Sequence, residues 1–381
     1  MEVNNKHALL GPSSSERWIN CPPSARLCED VEEQPSIYAN EGSDAHALAA
    51  YKLERALGNK TIEYPTLTSF NKEMDEMTDS YVSFVLEKIE ESKEASNETT
   101  PFTQVEHEVK YDKFVKDGFG TADCIVSNYG HLHIIDFKYG KGVKVDATNN
   151  SQLKLYALGA IVESDALFEY DTIELSIFQP RLSNISTWKT SKKELLEWAN
   201  EVLVPAANLA YKGEGIFRSG AYCKFCKVKA ICKERSKEAY KMLHDDFKDP
   251  NLLSDYEVED ILLKADDITA YLTDIKEYAL TKALEGKKWV NFKLIEGRSN
   301  RKFSDEGAVV NILKENKVNP YEPKLRSLSD IEKELGKNKL SELLGSLVTK
   351  PQGKPSLVLR SDKREELNLA KNDFSEINGG N

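Results

Sequence analysis

The chain has 381 residues, with 52 Lys+Arg against 63 Asp+Glu and a formal net charge of −11. With 40% hydrophobic and 30% charged residues it can bury a sizeable core, which excludes a disordered chain, and its length points to two domains or one core with an appendage. It has no apolar run near the ~18 residues of a membrane span, no cationic start ahead of an apolar segment, and too few cysteines for a disulfide scaffold, so a cytoplasmic protein without a membrane partner is expected.

In chain order, residues 13–20 (SSSERWIN) predict a short helix capped by Ser13 or Ser14 and stopped by Pro22-Pro23. Helical spacing follows over Glu41–Leu57, ending at Gly58, and over Asn71–Lys93. The period then changes to two. Val105–Tyr111, Phe119–Ser127 and Leu132–Lys138 read as strands, the last two joined by a hairpin at Asn128-Tyr129-Gly130. A helix over Asn150–Val162, strands over Thr172–Gln179 and Ile185–Thr190, and a helix over Glu194–Leu209 complete an α/β core of about five strands. Beyond residue 240 the pattern is mainly helical. Ser254–Leu284 is a long helix with a Ser254/Glu257 capping box, Trp289–Leu294 reads as a strand, residues 305–347 as helical and 350–381 as a frayed tail. The expected domains are a core over 1–240 and an accessory region over 241–381.

The charge is unevenly spread. Cys28–Thr100 holds 17 acidic and 6 basic residues, so the rest balances at 46 against 46. Within that balanced remainder Lys212–Lys237 has eight basic and two acidic residues, and Lys287–Lys302 six against one. Local basic stretches, rather than total charge, are the footprint of nucleic-acid binding. Either run alone is more often a solvated face.

Asp123 is the only charged residue in an apolar strand, and burying a lone carboxylate is costly unless it is paired or metal-bound. Alternation puts Asp136 and Lys138 on one face of the next strand, and the hairpin brings Asp123 beside them. Converging carboxylates suit Mg²⁺ or Mn²⁺. A lysine beside them can orient or deprotonate a water and offset developing negative charge. An Asp-x-Lys triplet by itself is commonly just an ion pair. Gln152 and Tyr156, four apart, share one face of the following helix, and His46 lies in a small-residue helix where a histidine is more often structural than a ligand. Cys223-x-x-Cys226 and Cys232 form a compact thiolate set whose fourth member is Cys21 or Cys28; structural zinc and a 4Fe-4S cluster are both open on spacing alone.

The series Gly42-x-x-x-His46, Gly120-x-x-Asp123, Asp136-Phe137-Lys138 and Gln152-x-x-x-Tyr156 resembles the RecB-like branch of the PD-(D/E)XK nucleases. The resemblance implies a restriction-endonuclease-like core, a mixed sheet flanked by helices, with a mainly helical C-terminal accessory region. It further implies metal ligation by His46, Asp123 and Asp136, with Lys138 catalytic and Gln152 and Tyr156 holding DNA and the site. Ser14, Trp18, Cys21 and Pro22, with the later cysteines, resemble the iron–sulfur staple of AddB-type and CRISPR-associated members, implying a 4Fe-4S cluster on Cys21, Cys223, Cys226 and Cys232. Segments at His7–Arg26, Glu296–Arg301 and Lys350–Pro355 resemble an uncharacterised family encoded mainly in phages and prophages. Together these imply a Mg²⁺/Mn²⁺-dependent deoxyribonuclease in a bacterial host, an exonuclease acting on single-stranded or open-ended DNA. It would work in a phage replication or recombination module alongside a single-strand-binding or annealing protein or a helicase. The alternative expectation is a non-catalytic DNA-binding scaffold that keeps the fold and the staple.

Overall fold

The computed structural model describes residues 8–31, 37–96, 99–164, 167–243, 254–293, 295, 311, 332 and 336–344. Two compact units divide it, Met1–Thr281 and Lys282–Asn381.

The first unit is built on a five-stranded sheet in the order β1-β2-β3-β4-β5, with strands β1 (Phe102–Lys110), β2 (Phe119–Asn128), β3 (Gly130–Phe137), β4 (Tyr170–Gln179) and β5 (Asn184–Ser191). β3 and β4 are parallel and every other pair is antiparallel. The parallel pair is joined through helix α5 (Ser151–Ser164), as a crossover requires. At the β2–β3 hairpin Gly130 takes φ +75°. The buried Asn128 amide donates to the carbonyls of Ser92 and Thr99, fixing where the chain turns.

Alternation sorts the sheet residues onto two faces. Ile125, Leu132, Ile134, Leu175 and Ile177 pack in one cluster with α5, whose residues Leu153 to Ile161 are all buried. That cluster also takes in α1 (Ser15–Asn20), α6 (Lys192–Trp198) and α7 (Val204–Lys212). On the other face Val126, Ile135, Phe137 and Phe178 pack against α3 (Ile37–Ala56) and α4 (Lys72–Ala95). The result is a central mixed sheet with helices on both sides.

Departures from the sequence expectations have local causes. Ser14 does not cap α1, because its hydroxyl donates to the Gly11 carbonyl instead. The helix expected over 194–209 carries a π turn at Ala199–Leu203, just ahead of Pro205, whose missing N–H removes an ordinary helical bond. Trp289–Leu294 is not a strand over its described part. A single bridge joins Trp289 to Phe292, and Val290 and Phe292 are exposed with no sheet beside them among the described residues. The Ser254/Glu257 capping box is formed and starts helix α9 (Asp255–Leu284), with α2 (Ser24–Leu27) and α8 (Lys233–Leu243) preceding it. Asp274 of α9 pairs with Lys229 and Arg235, tying that helix to the cysteine segment. In the second unit the described residues include α10 (Lys337–Leu344). Most of the helical expectation over 305–347, and all of 350–381, lie outside the described residues. Among the described residues no helix is long and apolar enough to cross a membrane.

Candidate metal centre

The strand register builds the site. The pairs Val105↔Cys124 and His107↔Ala122 set Glu106 opposite Asp123. One step beyond Cys124↔Ile135, Asp123 stands opposite Asp136. Directly opposed residues share a face, so three carboxylates form one row across β1, β2 and β3. Glu106 holds φ +46°, left-handed backbone within a strand.

His46 reaches this row from α3, its ring packed 5.3 Å from that of Phe137. Its Nδ1 lies 3.2 Å from Asp123 and 3.8 Å from Glu106. One donor atom from each of His46, Glu106 and Asp123 falls within 4.8 Å of the other two. The side chains are 33%, 39% and 12% exposed respectively, so an ion can enter from solvent. A shallow cleft lined by Gly42, Ser43, His46, Ala47 and Glu106 opens onto them. Burial opposes a charge on His46, but Asp123 and Glu106 outweigh it and push the imidazole up to about 10. Asp123 is held below its usual range, because His46, Lys138 and the Phe137 N–H, which donates at 2.6 Å, together overcome the cost of its burial. A proton therefore sits where the two carboxylates demand a cation. One imidazole and two carboxylates are donors that divalent Mg²⁺, Mn²⁺ or Zn²⁺ accepts.

Asp136 turns to a different partner. Its carboxylate lies 2.9 Å from the Lys138 ammonium, and burial raises its carboxyl above the ordinary value. Lys138 donates to Gln152 Oε1 at 3.1 Å, and Gln152 Nε2 donates to the Tyr156 hydroxyl at 3.0 Å. Gln152 is placed by the Asn150 side chain, which accepts from the backbone N–H groups of Gln152 and Leu153 and so caps α5. Tyr156 is placed by Gly120, where a Cβ would meet the Pro12 ring at 2.5 Å and the Tyr156 ring at 3.2 Å. Asp136 and Asp123 outweigh the burial of Lys138 and hold it charged, so it supplies positive charge rather than taking up a proton.

The structure thus brings together His46 and Asp123, and sets Asp136, Lys138, Gln152 and Tyr156 as a connected chain beside them. It adds Glu106, which sequence reasoning missed. The only signal for it was a carboxylate in the strand that pairs with β2, and the irregular connection over 111–118 hid the register.

The cysteines form a second locus. Cys28 and Cys226 are buried with their sulfurs 3.7 Å apart. Burial, and then the nearby Cys223 and Cys232, raise the Cys21 thiol. Residues about two hundred positions apart are thereby joined. Cys124 is buried among the residues behind α3 and α4.

Comparison with solved structures gives a weak likeness to the one described as "Crystal structure of SSO0001". It shares 15% identity over 58% of this chain and 96% of that chain, and its TM-score of 0.23 is too low to bear on the chemistry. A family model matches residues 7–365, almost the whole length, and the chain belongs to the family described as "Protein of unknown function (DUF2800)".

Proposed function

We propose that the protein is a divalent-metal-dependent deoxyribonuclease of the RecB-like kind, an exonuclease working in a phage-type replication or recombination module. The observation that carries this reading is the His46–Glu106–Asp123 cluster standing beside Asp136, Lys138, Gln152 and Tyr156. A divalent cation held by the three cluster residues would supply Lewis acidity toward a phosphoryl oxygen and an attacking water. The Lys138 ammonium offsets the negative charge that grows on the phosphoryl oxygens as water adds to phosphorus and the ester oxygen leaves. Asp136, buried and ion-paired with that ammonium, would take the water's proton. Gln152 keeps Lys138 aimed, and Tyr156 steadies Gln152 against the core.

The cysteines are read as a structural iron–sulfur staple on Cys21, Cys223, Cys226 and Cys232. Among the described residues no three of these sulfurs lie within 4.8 Å of one another. A 4Fe-4S cluster and a structural zinc each take four thiolates, and metal analysis of the purified protein tells them apart.

The test is release of nucleotides from linear DNA with open or blocked ends, with Mn²⁺ or Mg²⁺ and with chelator. Open-ended DNA should be degraded only with metal, and Asp123→Ala and Lys138→Ala should each lose about 100-fold or more. Undiminished activity in both variants would remove the assignment.

A further inference from the structure

We infer that the cysteine segment carries a binding surface for single-stranded nucleic acid, formed by Phe217 and Phe225 with Arg218, Lys224 and Lys227. Between Glu214 and Glu234 the sequence has five basic residues and no acidic one. Of the five, Lys229 is drawn inward to Asp274. Arg218, Lys224 and Lys227 stay exposed, and among the described residues no carboxylate pairs with them. Lys227 spends one hydrogen bond on the Val31 carbonyl.

Aromatic rings stand among these cations. Phe225 is 69% exposed and Phe217 41%. Single exposed apolar residues are ordinary. Here two phenylalanines lie within nine residues of a segment that has only positive charge, and Lys224 approaches the Phe225 ring at 6.0 Å. Phe225 ends a 3-10 helix, Ala221–Phe225, and the next residue, Cys226, is buried, so the Phe225 ring is left outside by the turn. Cationic side chains beside open aromatic faces match a strand whose bases are unstacked: phosphates meet the cations and bases lie on the rings. A duplex keeps its bases stacked on one another and offers the rings nothing.

The surface is coupled to the candidate centre by one short helix. At the start of α1 the Ser15 hydroxyl lies 2.6 Å from that of Ser151, the neighbour of Gln152. At its end Cys21 is hydrogen-bonded to the Arg218 backbone. Six residues of helix span about 9 Å, so α1 links the cysteine segment directly to the start of α5, which carries Gln152. The surface deepens the nuclease reading by naming the strand state of the substrate, and its link to the candidate centre rests on that reading.

The experiment is fluorescence anisotropy with the full chain in chelator, using labelled single-stranded DNA, single-stranded RNA of the same sequence, and the duplex. Single strands should bind more tightly than duplex, the DNA and RNA arms telling which sugar is preferred. Phe217→Ala/Phe225→Ala should weaken single-strand binding at least about tenfold and leave duplex binding and the unfolding temperature unchanged. Lys224→Ser/Lys227→Ser should flatten the salt dependence. Equal binding of duplex and single strand, an unaffected Phe double variant, or no binding of any oligonucleotide overturns the surface. Strand binding without metal-dependent cleavage would leave the surface standing and sink the nuclease. Cleavage with an unaffected Phe double variant would do the reverse.

Discussion

Glu106 holds a left-handed φ in the middle of a strand, a conformation costing a side-chain-bearing residue roughly 1–2 kcal/mol. Strain of that kind persists where the surroundings impose it, often at functional sites. Here the imposed outcome is a third donor atom beside His46 and Asp123. Glu106→Gly removes the carboxylate and the strain together. Relief of the left-handed backbone should offset most of the roughly 1 kcal/mol that a strand glycine costs. The unfolding temperature should therefore change little. Mn²⁺ affinity, measured by calorimetry, should fall by at least the roughly 10- to 100-fold that losing a ligand's outer partner costs. Unchanged Mn²⁺ affinity would show that Glu106 is not a ligand. Five of the other candidate residues stand out in the sequence through short-range patterns, Asp136 and Lys138 in one strand, Gln152 and Tyr156 one helical turn apart, Asp123 alone among apolar neighbours, whereas His46 is singled out only by the family resemblance. Glu106 becomes a site residue only through the β1–β2 register. Nothing local in Val105–Val109 fixes that register, since Glu106 and Glu108 alternate as on any solvated edge strand.

The strands β3, β4 and β5 carry a polar ladder between their apolar rows, and it makes this element pH-sensitive. His133 is 2% exposed and bonds Ser176, which in turn bonds Thr187. His131 and Lys189 both meet Glu174. Burial pushes His133 down to about 3, whereas an unfolded histidine titrates near ~6.5. The folded value is the lower one, so between these pH values the unfolded chain binds a proton that the folded chain refuses. Stability from this group is complete above ~6.5 and falls by about 1.4 kcal/mol per unit as pH drops below it. Glu174 acts in the same direction lower down: burial opposes its charge, but His131 and Lys189 outweigh it and hold it to about 2. The His133→Asn protein should show a flatter dependence of urea-unfolding stability between pH 6.5 and 4.5 than the parent. Identical slopes would place the acid sensitivity elsewhere. Existence and type of the strands were readable from their period of two, but this ladder was not. Its members reach 58 residues apart (His131 and Lys189, both on Glu174), and it depends on a parallel register set by the α5 crossover.

Within the first unit, the acidic excess is concentrated in a few segments. Of the net −11 in residues 28–100, α4 carries −5, α3 only −1, and residues 29–33, directly after Cys28, carry −4. The basic cysteine segment is joined through α1 to α5. The net charge of −11 therefore resides mainly on α4 and the residues after Cys28, while the segments that bear Asp123, Asp136 and Lys138 lie in the balanced remainder. What fixes the basic segment in place is the meeting of Cys21 and Cys28 with residues 223–232. Closing a loop of about 200 residues removes, in the chain-entropy limit, about 5 kcal/mol of freedom from the unfolded chain. If an iron–sulfur staple closes it, the purified protein should be brown, carry iron and lose both properties in Cys226→Ser. That variant should unfold more easily, with amide exchange rising first over residues 8–31, whose α1 then loses its tether. Cys28→Ser separates the remaining possibility, because Cys28 is the sulfur in contact with Cys226 yet is not one of the four proposed ligands. Retained colour and iron in Cys28→Ser, with loss in Cys21→Ser, is the expected pair of results. The opposite pair would move the fourth ligand to Cys28, and a colourless protein with one zinc would replace the cluster altogether.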